Sequence, residues 1–75
     1  MKKFKILLNS PDDVQEFVKI ASQYPFDIDL EHGSVYIDAK SLLGVLSMGI
    51  NRKLDVICGT QDEKFFSSVK KFAVV

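Results

Sequence analysis

The twelve residues FDIDLEHGSVYI, at positions 26–37, decide the fold of this chain more than any other stretch. Apolar and acidic residues alternate strictly over its first six positions, and Val35 and Ile37 repeat the alternation after Gly33. A period of two is typical of a strand with one covered face, and Gly33 can adopt the positive φ that a tight hairpin turn requires. The stretch predicts a β-hairpin with His32 in its turn.

A strand and a helix are predicted before the hairpin. Residues 4–8 alternate like a strand with one covered face. Ser10 and Pro11 then form a helix start, because a hydroxyl can cap free N–H groups and proline has no N–H to leave unpaired. Apolar residues follow at helical spacing until Pro25 ends the helix: Val14, Phe17, Val18, Ile20, Ala21 and Tyr24.

Three further elements are predicted after the hairpin. Residues 41–49 favour a short helix with Ser41 as its cap, and residues 54–58 alternate like a fourth strand. Thr60 and Glu63 then form a capping box before a last helix. Its apolar residues are Phe65, Phe66, Val69, Phe72 and Ala73. The order β-α-β-β-α-β-α predicts an α+β fold whose sheet has helices on one face.

The other face of the sheet is expected to be bare and charged. It would carry Lys3, Lys5, Asp27, Asp29, Glu31, Tyr36, Asp38 and Asp55. Because acidic strands would lie near the two lysines, this surface is either a solvated face or a binding surface.

Length and charge restrict the possible functions. Seventy-five residues predict one domain, over residues 1–75, and the ten basic residues balance the ten acidic ones. A binder of nucleic acid or of an anionic membrane normally carries excess positive charge, so neither partner is expected. With a single cysteine and no run long enough to span a membrane, the expected location is the cytoplasm.

Few residues suggest chemistry. His32 is the only histidine, and a turn residue exposed to solvent is a more ordinary role for it than a general base. Cys58 should point inward as a small buried residue, and no cluster of cysteines and histidines predicts a metal. The residues alone predict neither an enzyme nor a cofactor.

Residues 21–50, ASQYPFDIDLEHGSVYIDAKSLLGVLSMGI, resemble the middle of HPr, the histidine-containing phosphocarrier of the bacterial phosphotransferase system, without a gap. Within them, KSLLGVLSMGI at positions 40–50 is similar to the regulatory-serine signature of that family. Weaker similarity covers nearly the whole chain. The resemblance implies an open-faced β-sandwich: a four-stranded antiparallel sheet covered on one face by three helices, with the strand at 4–8 paired to the strand at 54–58.

The loop after the first strand departs from the family. HPr carries GIHARPA there, whose histidine accepts phosphate from phosphoenolpyruvate through enzyme I, whereas this chain has LNSPDDVQ at positions 8–15. The resemblance places Ser10 at the histidine position and Asp12 at the position of the arginine. A hydroxyl beside Asp12 and Asp13 is a poor nucleophile, so the chain is expected to lack phosphotransfer, with Ser10 as a helix cap.

Ser41 matches the family's regulatory serine, which a dedicated kinase phosphorylates to make the protein a corepressor. An added phosphate would face the N–H groups of a helix start, although an ordinary N-cap is the alternative role. The resemblance also implies a surface that docks partners, such as HPr kinase or a transcriptional regulator. Its candidate residues are Lys40, Leu42, Leu43, Leu46 and Ser47.

Three functions remain open at this stage. The first is a non-catalytic regulatory or adaptor module that acts through Ser41 and its surroundings. The second is a phosphocarrier with an unconventional acceptor, either Ser10 or His32. The third is a structural domain whose apolar strip around Leu42 pairs with a second copy.

Overall fold

The structure is a computed structural model that describes residues 2–60 and 62–74. In that part of the chain it contains five strands, three α-helices and one 3₁₀ turn. In chain order these are β1 (Lys2–Leu8), α1 (Pro11–Ala21), β2 (Ile28–His32), β3 (Val35–Asp38), α2 (Leu42–Ser47), β4 (Arg52–Cys58), α3 (Glu63–Val69), the 3₁₀ turn (Lys70–Phe72) and β5 (Ala73–Val74).

The five strands form one antiparallel sheet in the order β3-β2-β4-β1-β5. β1 pairs with β4 along its whole length, from Lys2 opposite Cys58 to Leu8 opposite Arg52. β4 in turn pairs with β2, and β2 with β3 through the hairpin. The predicted pairing of the first strand with the strand at 54–58 is therefore confirmed.

The sheet contains one strand more than the sequence predicts. The helical spacing predicts that Phe72 and Ala73 belong to the last helix, but α3 ends at Val69 and a 3₁₀ turn follows it. The turn keeps Phe72 buried and brings Ala73 opposite Ile6. The prediction was wrong at this point because the free edge of β1 can accept another strand, which helical spacing does not reveal.

The polar caps of the three helices match the sequence prediction in two cases. Ser10 Oγ accepts the Asp13 N–H at 3.1 Å, and Ser41 Oγ accepts the Gly44 N–H at 3.2 Å. At α3 the predicted capping box is wrong, since Asp62 accepts the Phe65 N–H at 2.9 Å. Asp62 immediately precedes the first helical residue, which is the position from which a short side chain reaches the free N–H groups.

Three boundaries also differ from the sequence prediction. α1 ends at Ala21, four residues before Pro25, because the chain continues in tighter turns after Ser22. β2 begins at Ile28, so Asp27 lies outside the strand. His32 is the last residue of β2 and pairs with Val35, which leaves only two residues in the hairpin turn.

The core lies between one face of the sheet and the three helices. Its strands contribute Ile6, Leu8, Ile28, Leu30, Leu54, Val56 and Cys58, and the helices contribute Val14, Phe17, Val18, Ala21, Val45, Phe65 and Val69. Phe65 contacts the rings of Phe17 and Tyr24 edge to face, at 6.5 and 5.2 Å. Burial of each large apolar side chain contributes about 1.5–3 kcal/mol to the free energy of unfolding, so the side chains packed between the sheet and the helices stabilise the fold.

Gly44 allows α2 to approach the sheet closely. A Cβ atom at this position would lie 2.8 Å from Ile37 Cγ2, closer than carbon atoms pack. The methyl group of Ile37 is attached to Cβ and cannot swing away as the end of a long side chain could. The glycine therefore sets the distance between α2 and β3.

We expect Gly44→Ala to lower the free energy of unfolding by about 1–3 kcal/mol, because the added methyl group must push α2 away from Ile37. Gly59→Ala is the matched control, since a Cβ at Gly59 meets no atom within 4 Å. Urea denaturation followed by circular dichroism measures both. Equal stability of the two variants would contradict the close approach.

Candidate functional site

The outer side of α2 exposes apolar side chains. Leu43 is 81% exposed and Leu42 is 39% exposed, while Val45 on the inner side is fully buried. Leu46 is half-buried and packs against the core, and Ile50, just beyond the helix, is 37% exposed. We call the exposed apolar residues at the start of the helix, Leu42 and Leu43, the α2 surface.

Ser41 lies exposed at the start of this surface. Its backbone N–H donates to the Asp38 carbonyl at 3.0 Å, and its carbonyl accepts the Val45 N–H at 2.9 Å. The hydroxyl oxygen of Ser41 accepts the Gly44 N–H, so Ser41 has the geometry of an N-cap. The side chain remains open to solvent while it performs this structural role.

Lys40 and Ser47, the two other docking candidates, already have partners within the fold. Lys40 Nζ donates to the Tyr24 carbonyl at 2.7 Å and so ties the turn before α2 to the loop after α1. Ser47 Oγ donates to the Gly44 carbonyl at 2.6 Å, inside its own helix. A partner protein would have to compete with these bonds to use either polar group.

The turn between β1 and α1 is arranged for capping. While Ser10 Oγ accepts the Asp13 N–H, the Asp13 carboxylate accepts the Asn9 N–H at 3.0 Å. Asp12 is exposed on the first turn of the helix. The two aspartates place negative charge where the helix dipole is positive, which stabilises α1 and disfavours an incoming phosphate.

Ser10 and Ser41 lie near opposite ends of α2. The Asn51 N–H donates to the Leu8 carbonyl at 2.8 Å, which holds the chain leaving α2 beside the β1–α1 turn. Asn51 adopts a φ of 63° to make this connection. The β1–α1 turn therefore lies near the C-terminal end of α2, whereas Ser41 lies at its N-terminal end. A helix of six residues is about 9 Å long.

His32 has neighbours that the sequence reasoning missed. Its Nε2 lies 3.4 Å from Arg52 Nη1, and its Nδ1 lies 3.4 Å from the Lys53 carbonyl oxygen. The only signal in the sequence is the alternation of apolar and polar residues in β2 and β4, and alternation does not specify the register between the two strands. Cys58, by contrast, is 3% exposed on the covered face, as predicted.

Ion pairs join Lys3 and Lys5 on the open face of the sheet to carboxylates of the same face. Lys5 forms an ion pair with Asp55 at 2.9 Å, and Lys3 lies 3.4 Å from Glu31 and 3.9 Å from Asp55. Tyr36 donates a hydrogen bond to Glu31, and this bond, together with the carboxylate charge, raises the pKa of the phenol. Lys3 and Lys5 are therefore both engaged in ion pairs within this face.

The described residues contain no group of three or more His, Cys, Asp or Glu side chains that could hold a metal ion. Within residues 2–60 and 62–74, no helix is both long and apolar enough to span a bilayer.

Comparison with known protein families identifies the chain. The family model described as the phosphorylation site of the HPr component of the phosphotransferase system matches residues 13–73. The chain belongs to the HPr family. Proteins of this family interact with other proteins of the phosphotransferase system.

Solved HPr structures share this fold. HPr-C-His from Thermoanaerobacter tengcongensis is 20% identical with a TM-score of 0.79, and the match covers 95% of this chain and 89% of that one. HPr from Bacillus anthracis str. Ames is 18% identical with a TM-score of 0.71, over 97% and 96% of the two chains. A mycoplasma histidine-containing phosphocarrier protein is also 18% identical, with a TM-score of 0.73 over 93% and 89%.

We expect Ser10→Ala to lower the free energy of unfolding by about 1 kcal/mol, because the Asp13 N–H loses its acceptor at the start of α1. Ser34→Ala, in the exposed hairpin turn, is the control and should change stability by less than about 0.5 kcal/mol. Urea denaturation measures both. If the two substitutions had the same small effect, Ser10 would not be the structural cap that the geometry indicates.

Proposed function

We propose that this HPr-family protein does not carry phosphate and acts as a regulatory or adaptor module, linked to the phosphotransferase system and to carbon regulation. It presents Ser41 and the α2 surface to a protein partner. The observation that carries this proposal is the outward display of Leu42 and Leu43 directly after an exposed serine.

The β1–α1 turn supports the absence of phosphotransfer. Transfer through a phosphohistidine needs an imidazole nitrogen as nucleophile and donors for the phosphoryl oxygens. Ser10 offers a hydroxyl whose oxygen already accepts a backbone N–H, and Asp12 adds negative charge nearby. The family match begins at residue 13, beyond both residues. The single histidine lies at the end of β2, outside the β1–α1 turn.

The energetics of α2 support a docking role for its outer side. Val45 is fully buried and supplies the contact with the core, whereas Leu43 is left almost entirely in water. Removing such an apolar side chain from water on docking would contribute about 1.5–3 kcal/mol, enough to make it an anchor for a partner. A phosphate on Ser41 would add about −1.5 to −2 charges at the edge of the same surface and so change which partners dock.

We expect no acid-labile phosphate on this protein after incubation with enzyme I and labelled phosphoenolpyruvate, because the acceptor position holds a capping hydroxyl. An HPr protein that carries the histidine serves as the positive control in the same assay. Stoichiometric labelling that His32→Ala abolishes would contradict the proposal and assign a phosphocarrier role to His32.

We expect HPr kinase to phosphorylate Ser41, with mass spectrometry showing one modified residue that Ser41→Ala removes. Ser47→Ala is the matched control, since Ser47 is an exposed serine at the other end of the same helix. Leu43→Ser should reduce the rate of modification about tenfold through lost docking. No uptake at high kinase concentration, or modification at Ser47 instead, would contradict the regulatory role of Ser41.

A further inference from the structure

A cleft of about 230 Å³ opens at the edge of the sheet, where β3 faces the C-terminal end of α2. It lies on the covered side, beyond the last fully buried residues of the core. Its walls are formed by His32, Val35, Ile37, Ser47, Met48 and Arg52. At about 30 Å³ for each water molecule in the liquid, this volume corresponds to about eight waters, the size of a small organic molecule.

The walls divide into an apolar part and a part that donates hydrogen bonds. Val35, Ile37 and Met48 provide aliphatic and thioether surface, and Val35 is 52% exposed although it is a large apolar residue. Arg52 and His32 stand together at one end, with Arg52 Nη1 3.4 Å from His32 Nε2. An apolar cleft with a few polar groups at one end is the usual composition of a small-molecule site.

The Arg52 guanidinium is available to a ligand. Among the described residues, no carboxylate lies within 4.0 Å of it, whereas Lys3 and Lys5 are paired on the open face. Its contact with His32 is satisfied when Nδ1 of the imidazole donates to the Lys53 carbonyl and Nε2 accepts from Arg52. The remaining N–H groups of the guanidinium are left for an oxyanion.

The backbone before Arg52 leaves space for this side chain. Gly49 adopts a φ of +88°, and a Cβ atom there would lie 3.3 Å from Arg52 Nε. The side chain of Arg52 therefore lies across the bare backbone of Gly49, and Asn51 is fixed between them by its bond to Leu8.

We propose that this cleft binds a small organic anion. Its carboxylate or phosphate group accepts hydrogen bonds from the guanidinium of Arg52, and its short apolar chain lies against Val35, Ile37 and Met48. Guanidinium groups form paired, charge-assisted hydrogen bonds with both kinds of oxyanion, so the chemistry of the site fits either. Ligand binding here is independent of the role proposed for Ser41, since it uses neither Ser41 nor Leu43.

The test is a titration of the isotope-labelled full chain, followed by amide and methyl chemical shifts, with pentanoate, pentyl phosphate, inorganic phosphate and pentanol as separate probes. Pentanoate or pentyl phosphate should shift the signals of Val35, Ile37 and Met48 and saturate in the millimolar range. A preference for one of these two identifies the anionic group of the ligand, and either preference supports the proposal. Equal binding of pentanol would overturn it.

Two variants distinguish binding at this specific cleft from nonspecific electrostatic attraction. Arg52→Gln should weaken binding about tenfold, because it removes the cation that contacts the anion. Residue 52 is exposed, so we expect the variant to keep its fold. Lys53→Gln is the matched control, with the same charge change on the opposite face of β4. If both variants weakened binding equally, or if the shifts clustered around Lys3 and Lys5 instead, the site would not exist.

Discussion

The pairing of β1 with β4 is the interaction on which the rest of the structure depends. It joins the first strand of the chain to the last long one over seven residue pairs and places Ile6 beside Leu54 on the covered face. β2 can then add to one side of this pair and β5 to the other. Because the pairing ends with Leu8 opposite Arg52, it also brings the turn after β1 against the turn after α2. Ser10 and Arg52 therefore lie at the same end of this strand pair.

The two serines that cap α1 and α2 differ in how exposed their surroundings are. At the β1–α1 turn, the hydroxyl of Ser10 and the carboxylate of Asp13 are both used to satisfy backbone N–H groups, so this turn stabilises the helix start. At the start of α2 the hydroxyl of Ser41 also caps a helix, but its side chain and the apolar residues after it stay exposed. The two serines have the same local geometry, and only their surroundings make one of them a candidate for modification.

Local patterns predicted most of this fold, because alternation and capping depend on near neighbours in the chain. The hairpin, the inward side of β4 and the caps of α1 and α2 follow from residues close together in sequence. The features that were wrong or missed depend on distant residues. β5 forms because β1 has a free edge, and the contact of His32 with Arg52 exists because β2 and β4 share one register. The cap of α3 is a different case, since Thr60 matched a pattern that Asp62, nearer to the helix, satisfies in the structure.

The close approach at Gly44 explains how α2 can expose leucines without weakening the fold. Since Gly44 rests against Ile37, the inner side of this short helix is held at a fixed distance from the sheet and Val45 is completely buried. Leu43 projects from the opposite side and is 81% exposed, so the folded monomer gains almost nothing from its apolar surface. A polar residue would serve the monomer equally well at that position. In the proposed function this leucine contacts another protein, and the fixed position of α2 keeps that contact in a constant orientation relative to Ser41.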